Sequence, residues 1–124
     1  EPIRANADIL LLQSGWGEHR GEDIYSLENP GIHPEVALFM REKYPDIRAI
    51  GIDWISISSY KNREVGRGSH KAFLDPWGLN NPILIIEDMD LSIDLSELIS
   101  MLALPLRIEE IDSAPCTVVG GFSD

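Results

Sequence analysis

Two short apolar runs, Ile9 to Gln13 and Ile47 to Ile52, flank a segment with helical periodicity, and that order constrains the fold more than any other feature. A run that is apolar without strict alternation suits a strand covered on both faces, as in a parallel sheet. Between the two runs, Pro34 stands where a first-turn proline is tolerated and Glu35 complements the helix dipole. Val36, Phe39 and Met40 share one face at helical spacing, and Tyr44-Pro45 ends the segment. Strand, helix, strand at this spacing predicts a βαβ unit with a right-handed crossover. Pro82 to Ile86 supplies a third strand, so the fold class expected is α/β.

The remaining segments are weaker in pattern. Ser14 to Gly21 reads as a glycine-punctuated loop, Asn29-Pro30-Gly31 as a turn, and the polar stretch Ser58 to Ser69 as a loop. Lys71 to Leu74 adds a helical turn that Asp75-Pro76-Trp77-Gly78 breaks. Ile93 to Leu98 is read as a short helix or turn. Leu102 to Ile108 is a fourth strand in which Pro105 implies an edge or bulge, and Thr117 to Val119 is a fifth.

A chain of 124 residues fits one domain, 1–124. Twenty-one acidic against ten basic side chains leave a formal charge of −11, which repels phosphate backbones and anionic lipid. Nucleic acid and membrane surfaces are therefore not expected partners. No apolar run approaches the ~20 residues of a membrane span. Cys116 is the only cysteine, which excludes an internal disulfide and agrees with a reducing, cytoplasmic setting. The first residue is Glu1 rather than Met, and a strand-like run follows almost at once. That start suggests a piece whose preceding residues lie outside the sequence.

His70 and Glu87 are the first candidates for chemistry. An imidazole and a carboxylate at a strand end are ordinary ligands for Zn²⁺ or Mn²⁺, although most such residues are solvated surface groups. Asp53 ends the second strand. It reads either as a carboxylate that orders the site beside Ser56 and Ser58, or as a cap on the loop that follows it. Trp16 and Trp54 either wall a pocket or pack as core and edge residues. His19 and His33 read as solvent-facing or capping. Lys61, Arg63, Arg67 and Lys71 form a basic loop that either attracts a carboxylate-bearing substrate or is simply solvated. No nucleophile elbow, phosphate loop or Cys-x-x-Cys pair is present.

The order of segments resembles the cyclase family that includes bacterial kynurenine formamidase. Asp8-Ile9-Leu10-Leu11-Leu12-Gln13-Ser14-Gly15-Trp16 is similar to its strand followed by Thr/Ser-Gly-Trp. Asn29-Pro30-Gly31 with Pro34-Glu35-Val36-Ala37 looks like its helix start. Ala49-Ile50-Gly51-Ile52-Asp53 with Ser56 to Ser58 resembles its central Gly-Ile-Asp strand and serine. Ser69-His70-Lys71 is similar to its histidine metal element, and Ile85-Ile86-Glu87-Asp88-Met89-Asp90-Leu91 to its glutamate element. Ala103-Leu104-Pro105-Leu106-Arg107-Ile108 with Asp112-Ser113-Ala114-Pro115 looks like its close.

The resemblance implies a swivelling β/β/α-type domain with a mixed sheet and few helices, incomplete without an N-terminal segment. It implies a metal-dependent hydrolase of an amide, formamide or lactam-like C–N bond, with a small-molecule substrate and a homo-oligomeric state. By position, His70 and Glu87 correspond to metal ligands, and Trp16 to a substrate-side residue of variable role. The family's other ligands come from a His-x-Gly-Thr-His-x-Asp motif upstream of the position of Asp8, followed by a proton-transfer histidine; this sequence contains no such motif. The chain is thus expected to hold part of a metal site, with the missing segment supplied as a second chain if it is to turn over. The alternative is a truncated, non-catalytic binding or assembly module of the same fold. Two departures bear on the substrate: Asp75 to Gly78 looks inserted between His70 and Glu87, and Cys116-Thr117 stands where an arginine often follows the proline.

Overall fold

The strand Ala49–Ile52 is buried at every residue because it forms the centre of a three-stranded parallel sheet. In the computed structural model, which describes residues 3–4 and 6–123, the chain divides into two units, Glu1–Ser92 and Ile93–Asp124. In the first unit β1 (Ile9–Leu12), β2 (Ala49–Ile52) and β3 (Leu84–Ile86) lie in the order β1-β2-β3. Ile9 is in register with Ala49, and Ala49 with Leu84. The fold is α/β, as the alternation of apolar runs and helix predicts. β1 is only half-buried along its length, because it is an edge strand.

Three α-helices join these strands: α1 (Asp23–Leu27), α2 (Pro34–Lys43) and α3 (Arg63–Leu74). A 3-10 turn, Trp16–His19, occupies the stretch expected to be a loop, entered through Gly15 at φ +82°. Helix α2 begins as expected, with His33 as cap: its Nδ1 accepts from the Glu35 amide at 3.3 Å. Its buried face shares only Met40 with the expected one. Ala37, Met40 and Arg41 are buried, whereas Val36 and Phe39 are exposed. Apolar residues stand on both sides of this short helix, and packing against α3 selects between them.

The polar stretch read as a loop with a single helical turn is a twelve-residue helix, α3. Asn62 caps it, accepting from Val65 N, and Glu64 sits in its first turn. Two glycines hid this helix, and both sit where space is short. A Cβ at Gly66 lies 1.8 Å from Ser58 Oγ and 2.7 Å from Ser58 Cα; one at Gly68 lies 3.2 Å from Pro34 Cγ. The cost of glycine in a helix is here offset by close approach.

Buried Arg41 ties α2 to the chain beyond α3. Its guanidinium donates to the carbonyls of Leu79 (2.8 Å), Ala72 (2.8 Å), Asp75 (2.9 Å) and Asn80 (2.9 Å). Among the described residues these carbonyls compensate the buried charge, and those of Asp75, Leu79 and Asn80 bracket the segment that looked inserted. The core gathers Ile32, Ile47, Ile50, Ile52, Trp54, Ile57, Phe73 and Ile83. Among the described residues, no helix is long and apolar enough to cross a membrane.

The second unit is an antiparallel pair, β4 (Leu98–Pro105) and β5 (Cys116–Phe122), with Leu102 opposite Val119 and Pro105 opposite Cys116. β4 starts earlier than the apolar run Leu102–Ile108 suggested, and the preceding residues form turns rather than a helix. Pro105 closes β4 at its end, and the irregularity lies between Leu98 and Ser100.

Replacing Gly66 by alanine tests the α3 contact. Helix propensity alone predicts a gain of roughly 1 kcal/mol, whereas the clash with Ser58 predicts a loss of about 2–3 kcal/mol. Denaturant unfolding should show the loss, with Gly68→Ala costing clearly less; a stabilised Gly66→Ala chain would show that the close approach is relieved cheaply.

Candidate functional site

The three parallel strands are each followed at once by a polar residue, Gln13, Asp53 and Glu87, and these ends gather the candidate site. Carboxyl ends of parallel strands are where α/β folds collect function, because side chains there leave the sheet without another strand to cover them. Glu87 follows β3, and His70 lies on the last two turns of α3. The fold brings them together, with His70 Nε2 3.3 Å from Glu87 Oε1 and both side chains about one-third exposed.

Each partner is oriented from behind. His70 Nδ1 lies 3.0 Å from the Gly66 carbonyl oxygen, one turn earlier in α3. A carbonyl can only accept, so Nδ1 carries the proton and Nε2 faces Glu87. Glu87 Oε1 accepts from Ser56 Oγ and from the Ile57 amide, both at 2.9 Å. Ser56 Oγ in turn accepts from the Ser58 amide at 3.1 Å. Buried Asn29 holds this loop through its amide nitrogen, which donates to the Ser56 and Ser58 carbonyls at 3.1 and 2.9 Å. Its oxygen accepts from the Tyr60 amide. Asn29 was read only as a turn residue; its position before a proline carried no sign of this bracing role.

Asp53 is 3% exposed and orders a loop, though not the one expected. Its carboxylate accepts from Ser14 N at 3.0 Å, Ser14 Oγ at 2.6 Å and Gly15 N at 2.8 Å. It therefore caps the chain leaving β1, while Ser56 turns to Glu87. Trp16 is half-buried against the core, and its Nε1 donates to the Tyr25 carbonyl at 3.2 Å. Trp54 is a core residue, so packing is the reading that describes it. His19 stacks edge-on against Trp16 and lies 3.3 Å from Glu22. Arg63, Arg67 and Lys71 stand four residues apart on the exposed side of α3 rather than in a loop, and Lys61 pairs with Glu28 at 3.2 Å.

A second polar cluster adjoins Glu87 in sequence and went unnoticed there. Asp88, held at φ +57°, accepts from the Tyr25 hydroxyl and from Arg20 Nη2 at 2.7 Å. Arg20 also donates to the Asp88 and Met89 carbonyls and to the Tyr25 hydroxyl. The turn that carries Glu87 is thereby tied to the chain around α1. Burial, and then the hydrogen bond to Asp88, push the Tyr25 phenol up to about 12. The bond to Asp88 also raises the Arg20 guanidinium above its ordinary value.

The donor set suits a divalent metal in kind, one imidazole nitrogen and one carboxylate side by side. It is short in number: no group of three or more His, Cys, Asp or Glu side chains placed to hold a metal occurs among the described residues.

Tyr25 yields a pH prediction. Its folded value lies above the unfolded value near 10, so the neutral phenol stabilises the fold fully below pH 10 and loses that contribution as pH rises to about 12. The two-unit difference corresponds to roughly 3 kcal/mol. The stability difference between the unmodified chain and Tyr25→Phe should therefore shrink across this window in denaturant titrations. A difference that stays flat there would mean that the phenol is not held as described.

No curated protein and no solved structure matches the chain. The family model described as "Putative cyclase" matches residues 2–59, a span that includes Ser14, Trp16, Asn29, Asp53 and Ser56 and stops short of His70 and Glu87. The cyclase resemblance carried by the order of segments from Asp8 to Ser58 is thus borne out over residues 2–59 by the cyclase family itself.

Proposed function

We propose that this chain supplies part of the metal site of a metal-dependent hydrolase acting on an amide, formamide or lactam-like C–N bond of a small molecule. The match to the cyclase family supports a cyclase- or hydrolase-type function. The observation that carries the finer reading is the approach of His70 Nε2 to Glu87 Oε1 at 3.3 Å, with His70 Nδ1 engaged by a carbonyl. That arrangement leaves the imidazole nitrogen able to act as a ligand pointed at a carboxylate. The bonds from Ser56 and Ile57 hold one carboxylate oxygen of Glu87, so the group stays oriented without its second oxygen being used by them.

His70 and Glu87 would hold Zn²⁺ or Mn²⁺ together with ligands from outside the described residues. Such a metal supplies Lewis-acid polarisation of a carbonyl and an activated water. This chain's residues bind and orient: Asp53 shapes the loop that carries Trp16, and Arg20 with Tyr25 anchors the turn that carries Glu87. Proton transfer falls to a group beyond this pair, so hydrolysis by the chain on its own is not expected.

Mn²⁺ titration followed by NMR tests this reading at the low affinity expected of two ligands. Paramagnetic broadening should begin at the His70 ring and the residues flanking Glu87. Glu87→Gln and His70→Ala should each weaken it by roughly tenfold or more. Broadening confined to other acidic surface groups, unchanged in both variants, would sink the assignment.

A further inference from the structure

The geometry points to Asn29 as a positioning residue: we infer that it sets the spacing of His70 and Glu87 by fixing the loop Ser56–Ser58, which touches the supports of both. Ser56 Oγ and the Ile57 amide donate to Glu87 Oε1, each at 2.9 Å. Ser58 lies against Gly66 of α3, so close that a Cβ there would meet the Ser58 Cβ at 2.4 Å. Gly66 in turn presents the carbonyl that faces His70 Nδ1 at 3.0 Å. These three consecutive residues therefore gauge the separation of α3 from the end of β3, across which His70 Nε2 and Glu87 Oε1 stand 3.3 Å apart. All of them lie in the first unit, Glu1–Ser92.

Every carbonyl of that loop is held from the segment 29–32. The Asn29 amide nitrogen donates to the carbonyls of Ser56 (3.1 Å) and Ser58 (2.9 Å), with that of Pro30 also within reach at 3.0 Å. The Ile32 amide donates to the Ile57 carbonyl at 2.9 Å. Asn29 Oδ1 accepts from the Tyr60 amide at 3.0 Å, so both ends of the side chain are spent on this loop. Asn29 is 2% exposed, and it acts through the loop rather than on a metal or a substrate. Freeing buried carbonyls from their donor leaves them unsatisfied away from water, so the loop shifts when that donor is lost. The amide is also the chemistry required: an aspartate of the same shape keeps the acceptor for Tyr60 but turns an oxygen toward carbonyl oxygens. Arg20 and Tyr25 fix only the turn after Glu87, whereas Asn29 reaches the supports of both side chains.

The effect on metal binding rests on the reading of His70 and Glu87 as ligands; the spacing of the pair does not. The first measurement therefore needs no metal. In the unmodified chain Glu87→Gln should shift the His70 ring nitrogen signals in NMR, because the two side chains are in contact. With Asn29→Asp in place the same change should move them by no more than about half as much, since coupling is lost when neighbours separate. Equal responses in the two backgrounds overturn the inference, as does no response in the unmodified chain. In Mn²⁺ titrations Asn29→Asp should weaken broadening of the His70 ring by roughly tenfold, the effect of a residue that orients a ligand without touching the metal. Ile47→Ala, a core deletion ahead of the amino end of β2, should destabilise the fold yet leave that broadening within about twofold. Equal losses in both variants would make Asn29 a stabilising residue only and overturn the inference. A chain that binds no Mn²⁺ at His70 sinks the metal reading alone, and the His70 response to Glu87→Gln still decides the positioning role. Should Asn29→Asp not fold, Asn29→Ser, which keeps one donor, carries the same comparisons, and an unchanged His70 response there overturns the inference.

Discussion

The burial of β2 on both faces is the constraint on which the first unit depends. A parallel strand cannot be joined to its neighbour by a tight turn, so β1 and β3 must reach it through long connections that carry helices. Those connections contain α2 and α3, and their packing on each other places His70 beside the end of β3. Because β2 is central, its carboxyl end opens between the ends of its neighbours. Asp53, Ser56 and Ile57 then reach the chain leaving β1 on one side and Glu87 on the other. The site is thus a consequence of strand order.

The polar groups at that end divide into two tasks. Asp53 and Asn29 are nearly inaccessible and spend their hydrogen-bonding capacity on backbone groups and Ser14, which shapes loops. His70 and Glu87 are about one-third exposed, and each keeps an atom directed at the other. Arg20, Tyr25 and Asp88 form a third set that fixes the turn after Glu87. A buried carboxylate with three donors has little left to offer a ligand, whereas a partly exposed pair does.

What could be read in advance followed from locality. The three parallel strands and α2 announce themselves through contiguous apolar runs and a capped, proline-led start. Helix α3 did not, because Gly66 and Gly68 speak against a helix until Ser58 and Pro34 are seen against them. The face that α2 buries was read correctly only at Met40, because Val36 and Phe39 are apolar yet exposed while the charged Arg41 is covered. Asp53 was correctly suspected of ordering a loop, but Ser14 lies 39 residues before it, so which loop was hidden. The Arg20–Tyr25–Asp88 cluster joins positions 63 and 68 residues apart and left no local pattern.

Sequence by itself determined the α/β class, the three parallel strands and the cyclase resemblance, since each rests on short-range periodicity or on segment order. Tertiary structure alone decided that His70 faces Glu87, and that Ser56 serves Glu87 while Asp53 serves Ser14. Contacts between distant segments depend on register, helix packing and the volume left by single glycines, and none of these is encoded within any one stretch of the chain.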